Sequence, residues 1–176
     1  LRHESLRARD APVQIQLLSP LPLELLPNHD GATCLDCELV SPALKARDTG
    51  FGREVRSALA SRRGWLIEQG LASGNAEAVI CRRDLLAVLH RRELQHVTSA
   101  IAQETGLDFA QVDRAGRVEG IVRRRLDLAS GRFALLENGR EFLLVPWRPV
   151  LGRALGREVR GTILTGSAIS WTIGPH

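Results

Sequence analysis

The dipeptide Asn138-Gly139 narrows what this chain can fold into more than any other position. It lies between two apolar runs, "RFALLE" at 132–137 and "EFLLV" at 141–145. A tight two-residue hairpin needs positive φ at both central residues, and Asn-Gly meets that need at little steric cost. The flanking sequence extends the hairpin. Residues 118–128 alternate imperfectly and pass through an "ASG" turn at 129–131 into the first arm. Pro146 ends the second arm because it has no N–H to give a neighbouring strand. Pro149 suits the first turn of a short helix ending at Gly156. "EVRGTIL" and "AISWTI", separated by "TGS", supply two more strands. Three strands, a short helix and two strands predict a small five-stranded β-barrel over residues 113–176.

Upstream the hydrophobic period changes from two to 3.6. Between Arg53 and Gln69, the residues Val55, Leu59 and Leu66 fall on one helical stripe. Gly70 followed by Leu71 fits a helix C-terminal stop. "SGN" at 73–75 reads as a turn, and "AVIC" at 78–81 as a short strand. Residues 84–105 read as a long helix, with Asp84 as N-cap and Gly106 as terminator. Helix, turn, small β-wing and helix predict a winged-helix-like module over 46–112. Residues 1–45 form an N-terminal extension. It comprises a polar frayed end (1–11), a strand at 13–18, and a Pro-rich connection (19–31) with at most one helical turn. A short helix or strand follows at 32–40, and 41–52 reads as a linker. The fold class is therefore α+β.

With 44% hydrophobic and 25% charged residues, the chain of 176 residues has the makings of a buried core. It contains no tyrosine, which removes one class of nucleophile. The net charge is +4, and of the 24 basic residues only Lys45 is a lysine. Arginine's planar fork suits phosphate and guanine edges; a GC-rich coding sequence would give the same bias. Three cysteines do not make a disulfide framework. No run approaches the ~18 apolar residues of a membrane span, and no signal peptide is visible. The expected compartment is the bacterial cytoplasm, with no membrane partner. The absence of methionine suggests a fragment whose start lies upstream.

Five stretches carry a family resemblance, in order: "DGATCLDCELV", "GFGREVRSALASRRGWLIEQGLA", "RRDLLAVLHRREL", "LASGRFALLENGREFLLVPWRPVLGRALGREVRGTI" and "ISWTIG". Over about residues 13 to 174 the chain resembles the uncharacterised C-terminal region of relaxase/mobilisation-nuclease proteins of proteobacterial plasmids and integrative elements. The "SGRFAL…LVPWRP…LGR" run is its most specific part. The resemblance implies a role in conjugative DNA transfer, with DNA and other conjugation proteins as partners. Full-length relatives nick one strand with a tyrosine and a histidine-bound metal. Here there is no tyrosine, and His3, His29, His90, His96 and His176 form no triad, so no catalytic residue carries over. Cys34 and Cys37 stand where the resemblance leads one to expect tryptophan and arginine. The chain stops at "GPH", where relatives continue into a basic glycine-rich tail.

Candidate sites follow from the charges and aromatics. Arg53, Arg56 and Arg63 cluster opposite the Val55/Leu59/Leu66 stripe, as a row for a phosphate backbone or as an ordinary solvated face. Arg62 falls on the apolar side and should be paired and partly buried. In the strand at 118–128, alternation puts Arg123 and Arg125 on one face, the second candidate for nucleic acid. Arg124 would take the other face and need Glu137 or Glu141 as partner. Trp147, with Arg148 beside it, is either an exposed aromatic anchor for a partner or a base, or a plug sealing the barrel end under the short helix. Cys34 and Cys37 have the spacing of a redox pair or half a zinc site, or are ordinary half-buried cysteines. His90 and His96 lie about 240° apart on a helix and cannot share a ligand. "GFG" at 50–52 reads as a hinge, not a dinucleotide loop. No catalytic residue, metal or cofactor is expected. The function expected is a non-catalytic accessory region that binds or positions transfer DNA, with a protein-docking module as the alternative.

Overall fold

The computed structural model describes residues 21–42, 50–75, 77–112, 116–164 and 168–174; the strand expected at 13–18 lies outside them. Helices α1 (Cys34–Val40), α2 (Phe51–Glu68), α3 (Leu85–Thr105) and α4 (Pro149–Gly152) combine with eight strands into a mixed α+β fold. The strands are β1 (Ala72–Gly74), β2 (Val79–Cys81), β3 (Asp108–Phe109), β4 (Arg117–Leu128), β5 (Gly131–Asn138), β6 (Glu141–Pro146), β7 (Glu158–Ile163) and β8 (Ile169–Ile173). The Pro-rich connection holds one 3-10 turn, Leu23–Leu25. No helix among the described residues is long and apolar enough to cross a membrane.

The helical half follows its sequence signals closely. Helix α2 buries Val55 and Leu66 and half-buries Leu59. Its end is a Schellman motif: Gly70 adopts φ 68°, its N–H donates to the Ile67 carbonyl, and Leu71 N–H donates to that of Leu66. Leu71 then enters the core with Leu66, Leu85 and Leu89. The "SGN" stretch differs from expectation, because Ser73 and Gly74 belong to β1 and the turn begins at Asn75. Asp84 occupies the N-cap position of α3 but makes no side-chain cap; its carboxylate is taken by Arg82. Gly106, at φ 70°, ends α3 as expected.

The strands do not close. They form one six-stranded sheet in the order β3-β6-β5-β4-β7-β8, beside the separate β1-β2 hairpin. Among the described residues the two edges, β3 and β8, do not pair with each other. The expected five-stranded barrel is therefore an open sheet, and the reason lies in its middle. In β5, Ala134, Leu135 and Leu136 are all buried in succession, so both faces of the sheet are covered. One face carries Val122, Ala134, Leu136 and Val145 under α4; the other packs Leu135, Phe142 and Leu144 against Ile101 of α3. The unanticipated strand β3, two residues long, adds in parallel to β6 and holds the edge there. The Asn138-Gly139 hairpin is in place, with Gly139 at φ 63° and Asn138 paired to Glu141.

The helices are tied together by Arg62, whose side chain is fully buried. Its Nε and Nη2 donate to the two oxygens of Asp36, at 2.8 and 2.9 Å. Its remaining N–H groups go to the carbonyls of Leu26, Pro27, His29 and Gly31. Asp36 also accepts from the Thr33 N–H and hydroxyl, which closes the first turn of α1. The Trp65 ring lies 4.2 Å from the guanidinium carbon. Removing one partner of a buried, hydrogen-bonded ion pair typically costs about 3–5 kcal/mol, because the other charge is left uncompensated. Arg62→Met should lower the unfolding free energy by about that amount in urea titration. Adding Asp36→Leu should recover part of the loss; additive losses would show that the pair is not coupled.

Candidate nucleic-acid interface

On α2, Arg53 and Arg56 are exposed, as an outer helix face requires, but Arg63 is only half-exposed. At 100° per residue Arg63 sits about 60° from the centre of the apolar stripe, at its margin rather than opposite it. The expected row thus reduces to two exposed arginines, with a third at the margin of the apolar stripe. Arg62 is paired as expected, and buried more completely.

The strand arginines are rearranged by a β-bulge. Across β4 and β5, Val122 pairs with Leu136 but Arg124 pairs with Leu135, so Arg123 is the extra residue. One inserted residue shifts the alternation for everything after it. Arg125 now lies opposite Ala134, on the α4 face, where its carboxylate partner is Asp127 at 3.0 Å. Arg123 reaches Glu137, which alternation places with Leu135 on the α3 face. Arg123 and Arg125 therefore do not share a face. Arg124 is not buried and does not use Glu137 or Glu141; it forms a two-pronged pair with Glu104 of α3, at 2.7 and 3.2 Å. The Arg124 guanidinium, hydrogen-bonded to Glu104, holds that carboxyl below its usual range. These five arginines cannot line one surface, and both strand candidates stand next to a carboxylate.

Trp147 is half-buried beneath α4 and packs on the core of that face. A Cβ at Gly152 would lie 3.1 Å from Trp147 Cζ2, so the short helix rests on the ring. Its backbone N–H donates to the Arg132 carbonyl at 2.9 Å, and the Arg125 guanidinium lies 5.7 Å from the ring centroid. The ring thus braces the short helix against the sheet, and because the sheet is open there is no barrel end for it to seal. Arg148 is exposed beside it.

Cys34 and Cys37 line a shallow pocket with Leu86, His90 and Gly131. Cys34, Cys37 and Cys81 are free thiols. Among the described residues no group of three or more His, Cys, Asp or Glu side chains is placed to hold a metal ion. His90 faces Phe133, with ring centroids 6.2 Å apart, and His96 Nδ1 lies 3.9 Å from Asp30.

A second group of basic residues, which neither the stripe nor the strand reading singles out, surrounds the step from β2 into α3. Arg82, Arg83 and Arg91 are exposed and Arg92 half-exposed. The signal was two Arg-Arg doublets, 82–83 and 91–92, flanking the first turns of a helix. Their proximity needs the fold: Arg82 N–H donates to the Leu71 carbonyl, and Arg92 reaches the Gln69 side chain at the end of α2.

Over residues 1–176 the sequence matches the model of a family described as "Protein of unknown function (DUF3363)". No curated protein and no solved structure matches the chain.

Burial first, and then the charge of the neighbouring thiol for Cys34 or of Asp36 for Cys37, push both thiols above the usual cysteine range. A raised pKa leaves less thiolate at neutral pH, and the thiolate is the nucleophile. Disulfide-exchange labelling at pH 7 should therefore be slower than for glutathione and should accelerate into the alkaline range. A rapid phase at neutral pH would contradict this assignment.

Proposed function

We propose, for a chain that belongs to the DUF3363 family of unknown function, that it is a non-catalytic accessory region of a conjugative relaxase-type protein. In this reading it holds or positions DNA during transfer of a plasmid or integrative element, in the bacterial cytoplasm. The observation that carries the reading is the exposed face of α2, where Arg53 and Arg56 project away from the buried Val55/Leu66 stripe. Guanidinium groups on a surface helix can track a phosphate backbone without reading sequence. The net charge of +4 favours a polyanion partner. The order α2, β1-β2 hairpin, α3 supports a winged-helix-like module. The resemblance of the "SGRFAL…LVPWRP…LGR" run supplies the relaxase context.

The strand arginines contribute less to this reading, since the bulge puts Arg123 and Arg125 on different faces of the sheet. A docking role for Trp147 and Arg148 toward other transfer proteins is the second reading, favoured by the exposure of Arg148 next to a half-buried indole. Fluorescence-anisotropy titration with single- and double-stranded oligonucleotides at two salt concentrations separates the two. DNA binding should weaken steeply with salt, and Arg53→Glu/Arg56→Glu should lower the salt slope by about 2. Absence of binding at low salt would favour the docking role.

A further inference from the structure

The β2–α3 corner combines charge, shape and an exposed apolar side chain in one place. In the β1-β2 hairpin, Cys81 pairs with Ala72 and both pack on the helical core, so alternation turns Ile80 outward. Ile80 is 75% exposed, more than any other large apolar side chain described. Arg82, two residues on, follows from that outward side. The hairpin tip has a built geometry: Asn75 Oδ1 accepts the N–H groups of Glu77 and Ala78. A Cβ at Gly74, which has φ 116°, would lie 2.2 Å from the Ala78 carbonyl oxygen.

Behind the hairpin, Asp84 and Arg91 lie on one side of the first turns of α3, seven residues apart. Asp84 already holds Arg82 through both of its oxygens. Among the described residues, Arg83, Arg91 and Arg92 form no ion pair. Glu93, the next carboxylate in the chain, is buried and accepts the Ala129 and Ser130 N–H groups, and among the described residues Glu68 and Glu77 form no ion pair with the corner. Of the four guanidinium groups at this corner, only that of Arg82 is thus ion-paired among the described residues, with Asp84. This contrasts with β4, where Arg123, Arg124 and Arg125 each have an acid.

We infer that this corner is the surface that grips a nucleic-acid duplex, with Arg82, Arg83, Arg91 and Arg92 along the phosphate backbones and Ile80 entering the groove between them. The inference rests on the DNA reading above and adds where the contact lies and which form of nucleic acid it fits. Duplex is favoured over single strand by the side chains present. Single-strand sites stack bases on exposed aromatic rings. The nearby indole, Trp65, is half-buried and covered by Arg62. An exposed aliphatic residue on a hairpin flanked by arginines suits a groove, where apolar wedges press against base steps.

The test is anisotropy titration of the full chain with a labelled random-sequence duplex and with one of its strands, each over a salt series. Arg83→Glu/Arg91→Glu removes two exposed groups without breaking an ion pair, and circular dichroism should show the fold unchanged. It should weaken duplex binding by about tenfold or more and lower the salt slope by about 2. Ile80→Ala should weaken the duplex complex several-fold and leave single-strand binding unchanged. Wild-type duplex affinity in both variants would overturn the inference and leave the DNA reading standing. So would a wild-type protein that binds single strands only. Failure of the wild-type protein to bind either form at low salt would instead overturn the DNA reading itself.

Discussion

Arg62 has no contact with water, yet it carries a full charge through the middle of the helical half. Such a group is tolerated only if nearly every N–H finds an acceptor and the charge finds its opposite. Asp36 and four backbone carbonyls meet both conditions. The cost of leaving any of them unmet fixes several elements at once. The segment around Leu26 to Gly31 must present its carbonyls inward, α1 must present Asp36, and α2 must aim Arg62 at both. The cluster of Leu26, Leu35 and Ala58 packs around this core of polar contacts. The same constraint sets the face of α2 that remains outside, with Arg53 and Arg56 upon it.

The sheet meets the helices through α3, and buried polar contacts again set the geometry. Glu93, 4% exposed, accepts the N–H groups of Ala129 and Ser130 at the β4–β5 turn, at 2.7 and 3.1 Å. A carboxylate on a helix is thereby bound to the backbone of a hairpin, and the sheet cannot slide along α3 without losing both bonds. A Cβ at Gly31 would fall 2.7 Å from Glu93, so the connection before α1 also packs closely on this residue. Arg124 and Glu104 form an exposed tie at the other end of the helix. Surface pairs of this kind add little to stability, but they occupy the arginine. Neutralising the β4 arginines while leaving the β2–α3 corner in excess redistributes the positive charge of the chain. What counts for a polyanion is that residual charge, not the number of arginines in a run.

Much of the local architecture was legible because it depends on neighbours in the chain. Gly70-Leu71 and Asn138-Gly139 act over a few residues, and both ended or turned their elements where expected. The buried Arg62 was legible too, since it sits on the apolar side of a periodic helix. The barrel was not, although "FALL" and "FLLV" held a clue: unbroken apolar runs belong to strands covered on both faces, which argues for an open sheet between layers. A two-residue strand such as β3 carries no periodic signal of its own. Asp84 shows the same limit at a helix end, where an arginine two residues earlier took the carboxylate that a cap would have used.

By itself the sequence determined the α+β class, the two long helices and the main strands of the C-terminal sheet, the hairpin at Asn138-Gly139, and an arginine-rich composition without a tyrosine nucleophile. Those properties follow from side-chain period, φ preference and composition, all of which act within a few residues. Only the tertiary structure decided which arginines are compensated. A single bulge at Arg123 separates it from Arg125, the packing of α3 brings Glu104 to Arg124, and contacts of Arg82 with Leu71 and of Arg92 with Gln69 set both Arg-Arg doublets against the end of α2. The physical reason is range: charge compensation depends on which carboxylate comes within a few ångströms, and the folded contacts of distant segments set that distance.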